Sequence, residues 1–203
     1  MIKVLSLGAG VQSSTVLRLA IHGEIERPDH VIFADTGWEP LEVYDHLEVL
    51  EMEMRKAGLD FHVVESGNIR IDHVRGSGEN ANNYNPPSLP FFTLGPSGAG
   101  MTPRQCTSSY KIQPIEKKIK ELVSIGRKSK TNHVPKVEHW FGISTDELRR
   151  TRLSKNWWSV NYYPLIDLHM SRDDCHLWLR EHGYPEAPRS CLLYTSPSPR
   201  DRS

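Results

Sequence analysis

The chain has 203 residues, with 25 lysines and arginines against 25 aspartates and glutamates. That length holds one α/β domain with a real core, or one domain and a small appendage, and zero net charge gives no electrostatic case for a nucleic-acid groove. No apolar run reaches membrane-spanning length and residues 1–20 lack a signal-peptide pattern, which leaves a cytoplasmic protein as the expectation. In chain order, Val4, Leu5 and Leu7 read as a short buried strand. Gly8, Gly10 and the pair Ser13-Ser14 follow, and then Val16, Leu17, Leu19 and Ala20 resume at helical spacing until Gly23. A strand, a glycine loop and a helix start make an anion site: backbone N–H groups approach closely and the helix dipole adds its positive end. Ser6, Ser13 and Ser14 can add hydroxyl donors. The spacing is neither G-x-G-x-x-G with a later acid nor G-x-x-x-x-G-K-S/T, and such a loop is equally a plain strand-to-helix turn.

Val31 to Ala34 predict a second strand, closed by Asp35-Thr36-Gly37, with Pro40 suited to a first helical turn. Val43, Leu47, Leu50 and Met54 trace one helix face up to Gly58, and Phe61, Val63 and Val64 predict a third strand. The order βαβαβ implies an open, mainly parallel, doubly wound Rossmann-like α/β sheet with helices on both faces. Ligands of such sheets sit at the carboxyl ends of the strands, which both the 8–14 and the 35–39 loops leave. Residues 76–103 are rich in glycine, proline, asparagine and serine and read as a long loop or lid. Ile112, Ile115, Ile119 and Leu122 predict a further helix ending near Gly126, and Trp140 to Ile143 a short strand. Tyr162 to Ile166 form another apolar segment. Ser171 and Asp174 form a capping box for a last helix whose inner face carries Cys175, Trp178 and Leu179. The ten histidines show no helical metal-binding spacing and read as surface or structural residues.

Four segments in this order resemble the phosphoadenosine phosphosulfate (PAPS) reductase family, within the adenine nucleotide α-hydrolase-like, PP-loop group. Ser6 to Ser14 is similar to its modified PP-loop, and Asp35-Thr36-Gly37 to the D-T-G after its second strand. Arg104-Gln105-Cys106-Thr107 with Lys111 and Pro114 is similar to the cysteine segment of its iron–sulfur branch, and Gly142 to Arg152 to a substrate-contacting G-x-R…R segment. The resemblance is nearest to a subgroup of phages and mobile elements. It implies one nucleotide-binding domain over residues 1–190 that binds an adenosine phosphosulfate-type nucleotide or ATP. The residues implicated are Ser6, Gly8, Gly10, Gln12, Ser13, Ser14, Asp35, Thr36, Gly37, Arg104, Lys111, Arg149 and Arg152. The basic ones supply cations for phosphate or sulfate, and Asp35-Thr36 holds ribose hydroxyls or, with ATP, Mg²⁺. Gln12 stands where PP-loop ATP pyrophosphatases carry an acid, which tilts the reading towards thiol-dependent sulfonucleotide reduction with a thioredoxin-like reductant as partner. An ATP pyrophosphatase that adenylates a substrate, and a non-catalytic nucleotide or iron–sulfur module, remain the alternatives.

The resemblance also implies a 4Fe-4S cluster in the full-length protein, with Cys106 and Cys175 as tentative ligands; for Cys175 the other reading is a small buried apolar residue beside Trp178. Residues Cys191 to Asp201 match, residue for residue, the translation of a transposase-type sequencing adaptor. The expectation is therefore that 191–203 is an artefactual unstructured tail, that the domain is truncated near Ser190, and that the family's nucleophile lies beyond it.

Overall fold

The computed structural model describes residues 1–76, 92–95, 98–101, 108–125 and 134–188. Its centre is a five-stranded sheet of β1 (Ile2–Leu7), β2 (His30–Asp35), β3 (Asp60–Glu65), β6 (Val137–Phe141) and β7 (Ser159–Tyr162). All neighbours are parallel and the spatial order is β3-β2-β1-β6-β7. The chain therefore winds outwards from β1 in one direction through β2 and β3, then returns to the other side of β1 with β6 and β7. The reversal lies between β1 and β6, and crevices that hold ligands open at such a reversal, beyond the strands' carboxyl ends.

Strand pleating sorts the side chains into two layers. Leu5, Leu7, Val31, Phe33 and Trp140 face one way and pack with α1 (Val11–His22), α2 (Leu41–Ala57), α5 (Pro164–Asp167) and α6 (Arg172–Glu181). Val4, Ile32, Ala34 and Val137 face the other way and pack with Ile115 and Ile119 of α4 (Gln113–Leu122) and with Trp158. Helices thus cover both faces, as the strand–helix alternation implies. Both early helices stop where the glycines say: Gly23 and Gly58 cap α1 and α2 in the left-handed conformation, φ 79° and 69°. The capping box Ser171–Asp174 starts α6, with both reciprocal hydrogen bonds made.

Three expectations shift. Ile112 is exposed and belongs to a π-helical turn, Ser108–Ile112, that precedes α4, so the buried stripe begins at Ile115. The segment 76–103 is not wholly irregular, because β4 (Phe92–Gly95) and β5 (Gly98–Met101) pair antiparallel, while 77–91, 96–97 and 102–103 lie outside the described residues. A further helix, α3 (Ile69–Gly76), follows β3. The proposed tail 191–203 lies outside the described residues.

Candidate functional site

The crevice between β1 and β6 is built by a loop with a strained centre. Ala9, fully buried, takes φ 52° between Gly8 and Gly10, so the left-handed residue here is an alanine. Gly10 is the N-cap of α1 and no side chain caps that end. Ser13 closes the loop on itself: its Oγ accepts from the Gly8 N–H at 3.1 Å and donates to the Gly10 carbonyl at 3.2 Å. Across the crevice, Gly142 follows β6. A β-carbon there would lie 2.6 Å from the Ser13 nitrogen and 2.7 Å from its Cα, so only glycine lets the end of β6 approach the first turn of α1 this closely. The 3₁₀ turn Thr145–Arg150 then folds over the start of α1, where the Gln12 Nε2 donates to Glu147 Oε2 at 2.9 Å and to Ser144 Oγ at 3.3 Å. Arg150 holds the same carboxylate at 2.7 Å.

Two of the loop serines face elsewhere. Ser6 Oγ lies 2.6 Å from His139 Nε2, on the α4 side of the sheet; burial brings that imidazole's pKa down to about 4, so the pair is neutral. Ser14 is fully buried with its Oγ 3.0 Å from His46 Nε2 of α2. Burial first, and the Arg18 guanidinium second, lower His46 to about 4 as well. Both hydroxyls are struts for the elements that carry the loop, and neither is a loop donor.

At the end of β2, Asp35 Oδ1 accepts from the Gly37 N–H at 2.7 Å and from the Tyr44 hydroxyl at 2.8 Å. Gly37 is in the left-handed region, φ 70°, and its carbonyl accepts from Asn68 Nδ2. Thr36 Oγ1 donates to Glu39 Oε1 at 3.1 Å, and Lys111 Nζ pairs with the same oxygen at 2.9 Å. Glu39 is buried, and its Oε2 has no hydrogen-bond partner. The predicted Lys111 and Thr36 therefore meet on a buried carboxylate that the sequence reading missed. An acid two residues after D-T-G gave a signal, but one overshadowed by Pro40 as a helix start.

Arg149 and Arg152 are exposed in and just after the 3₁₀ turn. Arg152 Nη1 donates to the Arg149 and Thr151 carbonyls at 2.8 and 3.0 Å, which holds its guanidinium against its own turn. Arg104 and Cys106 lie outside the described residues. Cys175 is fully buried in α6 against α1, and burial, with the charges of Asp146 and Asp174, pushes its thiol up to about 12. A cluster or zinc ligand must be a thiolate. Cys175 sits in the core cluster with no ligating group gathered around it among the described residues, which gives its reading as a buried apolar residue and not the ligand one.

Among solved structures, the U34-tRNA thiolase NcsA from Methanococcus maripaludis, with its 4Fe-4S cluster, is similar in fold. The TM-score is 0.52 at 15% identity over 97% of this chain. This chain spans 62% of the length of that one. No curated protein matches it. Residues 2–189 match the phosphoadenosine phosphosulfate reductase domain, nearly the whole described chain, and the protein belongs to that family.

Proposed function

We propose that the chain binds an adenosine nucleotide in the crevice between β1 and β6, and that it serves the thiol-dependent reduction of a sulfonucleotide. The observation that carries the reading is the meeting at one topological reversal of the Ser13-closed loop, the uncapped start of α1 and the close approach of Gly142. The backbone N–H groups of Ala9 to Gln12 face the anionic oxygens, and Asp35-Thr36-Gly37 faces the ribose. Lys111, Arg149 and Arg152, with Arg104 from outside the described residues, are the cations that the reading assigns to sulfate or phosphate. In the reduction a cysteine thiolate attacks the sulfur and forms a thiosulfonate as the nucleotide phosphate leaves, and a thioredoxin-like dithiol then displaces sulfite and ends as a disulfide. Cys175 is not that cysteine, since it is fully enclosed in the core and out of reach of a substrate.

One contact favours a second reading. Glu147 places a carboxylate against Gln12, and so restores in space the acid that the loop lacks in sequence. That suits an ATP pyrophosphatase, with Mg²⁺ accompanying the ATP. The full chain is titrated with adenosine 5′-phosphosulfate, its 3′-phosphorylated form and Mg-ATP, followed by assays of sulfite release with a dithiol and of pyrophosphate release. Tighter binding of a sulfonucleotide than of Mg-ATP is expected, with sulfite release only from protein that also carries the family's nucleophile. Pyrophosphate release alone replaces the first reading by the second, and binding of none of the three overturns both.

A further inference from the structure

At the opposite end of the sheet from the crevice, β2 and β3 bring together two histidines and an aspartate. His30 opens β2 and lies directly across from Asp60, which opens β3. His62 is two residues beyond Asp60, so pleating puts all three on one face, the face that α4 covers. Their inward atoms converge: His30 Nδ1 is 3.1 Å from Asp60 Oδ2 and 3.3 Å from His62 Nε2, and His62 Nε2 is 3.7 Å from Asp60 Oδ2.

Hydrogen bonding alone does not account for this triangle. An imidazole nitrogen has one in-plane position, filled by a proton or by a lone pair. His30 Nδ1 cannot donate to Asp60 and accept from His62 at once, and one proton shared between them is the most it can offer. A cation at the centre meets all three atoms together. With zinc–nitrogen and zinc–oxygen bonds of about 2.0–2.1 Å, tetrahedral geometry sets ligand atoms about 3.3–3.4 Å apart. The three observed separations bracket that value. The mixture of two imidazoles and one carboxylate is a donor set for Zn²⁺ and its neighbours in the first transition row.

We propose that His30, Asp60 and His62 form a zinc-class divalent metal site that clips the edge strand β3 to β2 and leaves one tetrahedral position open. The proposal is independent of the nucleotide reading, because none of its residues belongs to the crevice. A second grouping, His22, Glu24 and His182, also lies within metal-binding reach, but its atoms are committed. His22 Nε2 is 2.8 Å from the Tyr184 hydroxyl, and both Glu24 oxygens accept from Trp178 Nε1 at 3.2 Å. That grouping serves as the internal control.

The test uses the untagged full chain, freed of metal with a chelator. Zn²⁺ is titrated by calorimetry, and Co²⁺ by its visible absorption, which is intense only in four-coordinate sites. One ion per chain is expected, with a rise in melting temperature on adding Zn²⁺. His30→Gln, His62→Gln and Asp60→Asn should each weaken binding by about tenfold or more. His22→Gln with His182→Gln should leave it unchanged. Because Asp60 is exposed, Asp60→Asn keeps the test valid even if a histidine variant does not fold. No saturable binding, a weak six-coordinate Co²⁺ spectrum, or binding that follows the cysteines or the control pair would overturn the proposal.

Discussion

At residue 142 a single methyl group would meet the backbone of Ser13 at 2.6 Å, and backbone cannot step aside as a side-chain tip can. Gly142→Ala is therefore expected to cost about 1–3 kcal/mol of stability, the usual toll of overpacking, and to weaken nucleotide binding by pushing the end of β6 away from α1. Thermal melts and nucleotide titrations on the same preparation check both. Cys175 supports a second expectation at this scale. Its buried, protonated thiol should stay unmodified by alkylating reagents at neutral pH and react only on unfolding, which peptide mapping resolves from Cys106 and Cys191. These residues differ in how far the sequence revealed them. Ser13 was legible because a hydroxyl in a glycine loop has few other partners. Gly142 was legible only as the start of the G-x-R…R segment; its crowding against Ser13 was not, because it exists only once α1 lies beside it.

Helix α1 illustrates the limit of periodicity at the scale of the element. Its apolar stripe was readable, yet the helix is buried almost all round, between the sheet, α2 and α6. Arg18, which would read as a solvated charge, is fully enclosed. Its Nε and Nη2 hold Glu53 of α2 at 2.9 Å each, and its guanidinium lies 3.9 Å over the Tyr184 ring. Removing one partner from such a pair strands the other charge inside, so Glu53→Ala is expected to cost about 3 kcal/mol. Arg55–Glu51, an exposed pair four residues apart on α2, provides the contrast. Glu51→Ala should cost under about 0.5 kcal/mol. Denaturant titration of the two variants separates the cases. The surface pair is legible from its spacing of four residues, whereas Arg18 and Glu53 lie on different helices and meet only once α2 and α6 pack against α1.

For the whole molecule the buried imidazoles set the response to acid. His139 and His46 have native pKa values of about 4, while an unfolded histidine titrates near 6.5. Their burial thus carries no proton-linked penalty above pH 6.5 and an increasing one as the pH falls towards 4, because the unfolded chain binds protons that the native one refuses. For His139 alone the full effect is about 3 kcal/mol. The unfolding free energy should be flat above neutrality, decline below pH 6.5, and decline less steeply in His139→Gln. The general architecture was legible, since βαβαβ with buried apolar strands admits few sheets. The place of β6 beside β1 was not, because nothing local in Val137 to Phe141 says which edge it joins. That late addition has a consequence for how the chain is made. β1 is synthesised before the other strands of its sheet, yet one of its two sides pairs with residues 137–141. Until those residues emerge from the ribosome, the strand that ends in the glycine loop presents an open apolar edge. The nascent first half therefore carries an unpaired strand edge that invites wrong partners until residues 137–141 arrive.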